Sequence, residues 1–279
     1  MGLVQAAYLL INQHYKIEPR LLMLWRGFGT TAVLLPFALW LGAPASPLFY
    51  ALCIATGLCV GVFDRLVFEA SAELGAGVVS RLLALTIPVA FVFWLLLHPG
   101  HLAALADKRF IALLPVALLG LMGAALLMRR DPLSRAALLA LAPVLVVGGS
   151  IDVLNKSAMH YASGWQAYVA YGCITAFISG LLNLLWPTRG AAPLSRGALL
   201  APHVVRGGLF TIAVVTFYLL LKTSSLADTP NPAFVSALNL TAPVWVLLWN
   251  RWQNVQDASN LWAGFACVIS ALLLVLATL

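Results

Sequence analysis

Charge is what this sequence has least of. Of 279 residues, 9% are Asp, Glu, Lys or Arg, and 62% are hydrophobic. A soluble domain carries about 25% charged residues. So little charge does not clothe a water-facing surface of this size, which excludes a soluble enzyme, a nucleic-acid-binding domain and a disordered chain. The net charge of +7 comes without any RNA- or DNA-binding motif, so nucleic acid is not an expected partner. Cysteine is scarce too. Cys53, Cys59, Cys173 and Cys267 all lie in apolar stretches and form no C-x-x-C pair; that excludes a zinc site or a disulfide framework and leaves small packing residues.

Catalytic signatures are also missing. There is no H-E-x-x-H, no G-x-x-x-x-G-K-[ST] and no G-x-S-x-G, hence no nucleotide-hydrolysis machinery and no hydrolase nucleophile. His98 and His101 supply two metal ligands where a site needs more. The chain is therefore not expected to be an enzyme, and neither a cofactor nor a metal is expected. Met1 to Ile11 has no charged n-region and no small-residue cleavage site, so no cleavable signal peptide is expected.

What the sequence does have is apolar blocks of helical length. They fall near 2–15, 21–41, 49–70, 76–97, 110–128, 137–159, 166–186, 199–222, 232–250 and 260–279. Turn chemistry separates them, as at Gly42-Ala43-Pro44, Asp131-Pro132 and Thr229-Pro230-Asn231-Pro232. Backbone polar groups in lipid must be satisfied internally, so the blocks predict helices. The expected fold is an all-α polytopic membrane protein of about ten transmembrane helices. Its longest connections, near 98–109 and 187–198, leave no room for a domain outside the bilayer.

A repeat runs through the blocks. Leu83-Ala84-Leu85-Thr86-Ile87-Pro88-Val89 recurs 155 residues later as Leu238-Asn239-Leu240-Thr241-Ala242-Pro243-Val244, and Trp94 matches Trp249 at the same offset. Six of these twelve positions are identical, where a Leu-rich composition gives about one or two by chance. The copies lie in the fourth and ninth blocks. This predicts two homologous halves, 1–130 and 131–279, of five spans each. An odd number of spans turns the second half over, giving two inverted five-helix repeats of the kind used for alternating access.

Ten spans, a five-plus-five duplication and a Pro in the fourth and ninth spans make the chain similar to the EamA-type branch of the drug/metabolite transporter superfamily. The segment Asn12-Gln13-His14-Tyr15-Lys16, through Pro19 to Trp25-Arg26, also resembles that branch's junction between spans 1 and 2, with Asn155-Lys156 as a counterpart after a gap. Many members carry a Glu just after spans 4 and 9. Here those places read His98-Pro99-Gly100-His101 and Asn250-Arg251-Trp252-Gln253. The resemblance implies a secondary carrier of small metabolites or drugs, with a cavity between the halves.

Proline inside a helix frees the carbonyl four residues back. Pro88 and Pro243 therefore point to the carbonyls of Ala84 and Asn239 as groups that line a translocation path, with Thr86, Thr241 and the Asn239 amide beside them. Trp245 is deep enough to stack on a substrate, against the alternative of facing lipid or packing. Intramembrane charge is costly, about 2.5–3.5 kcal/mol per group, so each charge needs a partner or a task. Arg26, Asp64, Arg65, Glu69, Arg81 and Arg206 fall toward one end of their spans. Asp64 and Arg81 are expected to pair across the span 3–4 turn, and Arg65 with Glu69 at i,i+4. The set reads either as structural pairing and snorkelling near helix ends or as a basic-lined vestibule that receives an anionic or zwitterionic substrate. Asp152 and Lys156 form another i,i+4 pair in span 6. Asp152, near mid-membrane, is a candidate for proton coupling, against the alternative of a static ion pair.

Gly57-x-x-x-Gly61 permits close helix approach. Of the basic residues outside the spans or at their ends, Lys16, Arg20, Arg129, Arg130, Arg135, Arg189, Arg196 and Arg251 fall on one side, and Lys108, Arg109 and Lys222 on the other. That predicts a cytoplasmic first side with external termini. The family resemblance implies cytoplasmic termini, so orientation stays open.

The expected function is secondary transport of a small metabolite or drug across a bacterial inner membrane by alternating access. The alternatives are a flippase for lipid-linked or lipid-phosphate substrates and a non-transporting membrane scaffold subunit. The expected partners are a small-molecule substrate and the lipid bilayer, with a homodimer left open.

Overall fold

The computed structural model describes residues 1–74, 76–83, 86–100, 112–127, 135–186, 194–229, 232–255 and 261–276. Among these the secondary structure is helical, with no strand. The helices are α1 (Gly2–Tyr15), α2 (Pro19–Leu41), α3 (Pro47–Leu74), α4 (Ala76–Leu83), α5 (Thr86–Leu97), α6 (Leu113–Leu127), α7 (Arg135–Tyr161), α8 (Gly164–Leu185), α9 (Pro202–Asp228), α10 (Pro232–Leu238), α11 (Ala242–Trp252) and α12 (Leu261–Leu276). Four of them, α2, α3, α8 and α9, are long and apolar enough to cross a membrane. Among the described residues the protein is thus all-helical, with membrane-spanning character.

Several boundaries follow from local chemistry. Pro19, Pro47, Pro202 and Pro232 each open a helix, where a missing N–H costs nothing and φ is already helical. Between α1 and α2 the buried Asn12 side chain holds the turn. Its Nδ2 donates to the Phe68 carbonyl at 3.0 Å and its Oδ1 accepts from the Ile17 N–H at 2.9 Å. Buried hydroxyls inside the helices bond back to their own backbone, as Thr175 does to Tyr171, Thr211 to Gly207 and Thr223 to Leu219. This satisfies a polar group where no water is available.

The chain forms two compact units. One comprises residues 1–6, 74–153 and 229–279, the other 7–73 and 154–228. Each takes segments from both sides of the division expected at 130/131, which itself lies outside the described residues.

In the 7–73/154–228 unit, α2 and α8 pack antiparallel along their length. Arg20 reaches the Asn183 carbonyl (3.1 Å) and the Leu184 carbonyl (2.8 Å), Thr31 Oγ1 reaches the Cys173 carbonyl (3.3 Å), and Leu34 packs on Val169 and Cys173. Residue numbers rise on one helix as they fall on the other. Glycine sets the close approach: a Cβ on Gly27 would strike the backbone of Gly180, and one on Gly172 would meet Leu34. On α8 lies α3, with Gly57 against Ile178 and Gly61 against Leu182, as the small-residue spacing predicted. On α2 lies α9, with Gly208 against Trp25 and Gly29 against Ile212. The pattern is reciprocal: α3 on α8, α9 on α2, with α2 and α8 in contact.

In the 1–6/74–153/229–279 unit, α4 packs on α11, α5 on α10, and α6 on α12. The block expected as a single span at 232–250 is two helices. Across the second copy of the repeat, α10 ends at Leu238, a 3-10 turn covers Asn239–Thr241, and α11 begins at Ala242. At the first copy, residues 84 and 85 lie outside the described residues. Pro243 therefore lies in the first turn of a helix rather than in its interior, where proline is tolerated.

Two outcomes test this packing. With the native cysteines replaced by Ser, Ala43→Cys and Ser163→Cys should react with an impermeant maleimide from one side of a membrane, and His14→Cys from the other. Labelling of Ala43→Cys and Ser163→Cys from opposite sides would break the antiparallel α2–α8 pair. Gly27→Ala should destabilise the purified protein by about 1–3 kcal/mol, because the colliding atoms are backbone. Gly123→Ala, which meets nothing within 4 Å, should not.

Candidate functional site

The charges in the apolar helices sort by the company they keep. Some secure helix ends. Lys156 Nζ donates to the Leu226 carbonyl at 2.7 Å and the Ala227 carbonyl at 3.1 Å. It thus satisfies the last turn of α9, where carbonyls lack intrahelical donors and the helix dipole favours a cation. Arg20 does the same for α8. Arg65 pairs with Glu69 at 3.5 Å, as expected from the i,i+4 spacing, and its guanidinium lies 5.1 Å from the Trp186 ring centroid. Arg206 is exposed.

A second group is buried and concentrated. Arg26 Nη2 lies 2.7 Å from Asp64 Oδ2, and Arg26 Nη1 donates to Ser179 Oγ at 2.9 Å. Arg26 is 4% exposed, Asp64 6% and Lys222 8%. Lys222 lies within electrostatic reach of Asp64 and 5.7 Å from the Tyr218 ring centroid. The buried Tyr8 hydroxyl lies beside Asp64 without completing a hydrogen bond of good geometry. Arg26 Nε and Thr30 Oγ1 are buried without a hydrogen-bond partner. Tyr8, Arg26, Asp64, Ser179, Tyr218 and Lys222 come from α1, α2, α3, α8 and α9, all within one compact unit.

The backbone at Arg26 is irregular. Residues Trp25–Gly29 form a π-helical turn inside α2. Such single-turn widenings concentrate at functional positions. Here the turn also contains Gly27 and Gly29, the two glycines through which α2 meets α8 and α9.

The other unit holds the repeat. Thr86 Oγ1 donates to the Leu83 carbonyl at 2.7 Å and Thr241 Oγ1 to the Leu238 carbonyl at 3.1 Å. The two threonines, 155 residues apart, thus make the same i−3 bond at the same place in the motif. The packing of α4 on α11 and α5 on α10 brings the two copies together crosswise. Beside them, Ser236 of α10 donates to the buried carboxylate of Asp152 on α7.

Several expectations need correction. The Asn239 carbonyl is not freed by Pro243, because the 3-10 turn lets it accept the Ala242 N–H. Ala84, the corresponding position at Pro88, lies outside the described residues, as does the side chain of Arg81, the partner expected for Asp64. The partner found for Asp64 is Arg26, from α2, the preceding helix. Asp152 and Lys156 do not answer each other: each side chain turns to its own partner, Ser236 and the α9 carbonyls. Trp245 is 42% exposed rather than enclosed.

Tyr8, Ser179, Lys222 and Ser236 were missed as site residues. Lys222 looked like a flanking basic residue because it ends an apolar block. The others carried no signal beyond being polar in an apolar run.

The buried pair sets a clear expectation. Arg26→Gln or Asp64→Asn should each lower stability by about 3–5 kcal/mol by stranding the remaining charge. The double variant should recover part of that loss in thermal unfolding, and additive losses would break the pairing. Lys156→Met should cost about 0.5–2 kcal/mol, the scale of a lost helix cap.

No family model, no curated protein and no solved structure matches this chain.

Proposed function

We propose that the chain is a secondary transporter of a small metabolite or drug, of the drug/metabolite-transporter kind, built from two inverted five-helix repeats and working by alternating access. One observation carries this reading. The two copies of Leu-x-Leu-Thr-x-Pro-Val lie on segments that pack on each other crosswise, and a 3-10 turn interrupts the second copy. Discontinuous helices at the meeting of two repeats are where secondary carriers place their sites.

Further details support the repeat. The unit boundary at 73/74 recurs at 228/229, at the 155-residue offset of the motif. Pro47 opens α3 and Pro202 opens α9 at that offset too. Upstream, Pro19 opens α2 and Gly164 opens α8, 145 residues apart. The ten-residue difference falls in the connection after α8, which runs over 186–201 where its counterpart runs over 42–46. Equivalent helices α2 and α8 run antiparallel, as an inverted repeat requires. The Gly27–Gly180 and Leu34–Gly172 contacts exchange positions that are equivalent to within one residue at that 145-residue offset, as a two-fold relation requires.

In this reading substrate passes at the crossing of the two motif-bearing segments, near Thr86, Pro88, Asn239, Thr241 and Pro243. Asp152, held by Ser236, is the coupling carboxylate, whose protonation biases one conformation over the other. The bacterial inner membrane is the proposed setting.

The test is thermal stability of the detergent-purified protein against amino acids, nucleosides, sugar phosphates, drugs and lipid phosphates. Hits then go to counterflow in proteoliposomes. A ligand at 100 times its dissociation constant should add about 2.7 kcal/mol. Asp152→Asn should keep counterflow and lose gradient-driven accumulation. A folded protein that responds to none of these compounds would sink the carrier reading, and a response to lipid phosphates alone would replace it with lipid flipping.

A further inference from the structure

We propose that one corner of the 7–73/154–228 unit, where Lys16, Arg196 and Arg206 gather, is a binding surface for an anionic phospholipid. The inference rests on the membrane-spanning character of α9 and not on the carrier reading.

Packing brings the three cations together. The chain leaves α1 through Tyr15, Lys16 and Ile17, and a Cβ on Gly207 would strike the Ile17 side chain and crowd the Tyr15 ring. The start of α9 therefore lies against that turn. Gly208 lies against Trp25 of α2, whose indole Nε1 donates to the Leu199 carbonyl at 3.2 Å. That bond ties a short helix, Arg196–Leu199, to the same corner. Lys16, Arg196 and Arg206 are all exposed, and none forms an ion pair with a described residue. Glu18, half-buried, is the acid nearest in sequence to Lys16, and Glu69 is paired with Arg65.

An apolar track begins at Arg206. Leu209, Phe210 and Phe217 are exposed, and offsets of three, four and eleven residues set them on the face of α9 that carries Arg206. From Arg206 to Phe217 the helix rises about 17 Å, close to the ~15 Å hydrocarbon depth of one leaflet. A cation at the head of an apolar track is the complement of an amphiphile, with phosphate at the guanidinium and an acyl chain along the helix. Three unpaired cations favour a phosphodiester headgroup that keeps a net negative charge over a zwitterionic one.

Two features mark the cations as placed. Lys16 has φ 48°, in the left-handed region where a Cβ is penalised and Gly is not. Arg196 belongs to the longer of two corresponding connections, 186–201 against 42–46. The shorter one, Gly42-Ala43-Pro44-Ala45-Ser46, has no charge and lies at the other end of α2. The repeat is thus broken where it adds a cation to one end of the unit only. Unequal ends suit a bilayer whose leaflets differ in charge.

The test reads the melting temperature of the full chain in dodecylmaltoside micelles doped with phosphatidylglycerol or phosphatidylcholine, or with sn-glycerol 1-phosphate added. Phosphatidylglycerol should stabilise in a saturable way that neither of the others matches, and raised sodium chloride should weaken it. Arg196→Gln and Arg206→Gln should each raise the half-saturating phosphatidylglycerol fraction about fivefold, and the triple variant with Lys16→Gln about a hundredfold. Lys16→Gly should melt no lower than the parent without lipid, because Gly relieves the positive φ, yet it should lose the same fivefold.

Equal stabilisation by phosphatidylglycerol and phosphatidylcholine overturns the proposal. A full effect of glycerol phosphate does so too, by marking a site for a soluble anion. A phosphatidylglycerol shift that survives in the triple variant belongs to another site, a translocated lipid included, and likewise overturns it. If the triple variant does not fold, Arg206→Gln and the salt series decide.

Discussion

Inside an apolar slab no water stands by to satisfy a polar group, and every other feature of this protein depends on that constraint. It explains why the chain is helical, since a helix closes its own backbone bonds. The threonines and serines within the helices follow from it too, donating to carbonyls one turn back. Even the cations obey it: Lys156 and Arg20 end at the open carbonyls of α9 and α8, where a helix lacks its own donors. Once those obligations are met, few polar groups remain. The buried Arg26 cluster and the carboxylate of Asp152 stand out because helix-end duties do not use them.

Helix class and block positions were legible in the sequence because hydrophobic runs and turn residues are local signals. The interruption at the second copy was not. Leu238 to Val244 reads as a continuous apolar run, and hydropathy does not distinguish a proline that kinks a helix from one that starts a new segment. The distinction lies in where the preceding helix stops, at Leu238, whose carbonyl accepts from Thr241 Oγ1. The π-helical turn at Trp25–Gly29 was equally invisible. It widens α2 where Gly27 and Gly29 let α8 and α9 come close, a tertiary cause with no pattern of its own.

The candidate site was legible by residue and illegible by pairing. Arg26 and Asp64 were marked because buried charge is costly wherever it occurs. Their partnership joins residues 38 positions apart on α2 and α3, and the spacing rules that find ion pairs reach only along one helix. Those rules succeeded for Arg65 and Glu69, which share α3. They failed for Asp152 and Lys156, because tertiary partners outcompete a side-chain neighbour when they offer better geometry. Two adjacent carbonyls at a helix end hold Lys156, and Ser236 meets Asp152 from α10. Lys222 shows the opposite error: a basic residue at the edge of an apolar block looks like a topology marker, yet its side chain is 8% exposed.

Stability alone is a poor reason for the Arg26–Asp64 pair. Desolvating two ions often costs more than their attraction returns, and an apolar pair of similar volume commonly holds helices together as well. The helices here already have an economical contact in the glycines of α2, α3 and α8, which bring backbones and side chains together with little polar burial. Packing that rests on glycine leaves the charges unnecessary as glue. Placing a third ion, Lys222, against the same carboxylate makes the burial harder to justify by folding energetics. The distribution of glycine and charge in this unit therefore separates the two: small residues hold the helices, and the buried Arg26–Asp64 pair adds a desolvation cost that the packing does not require.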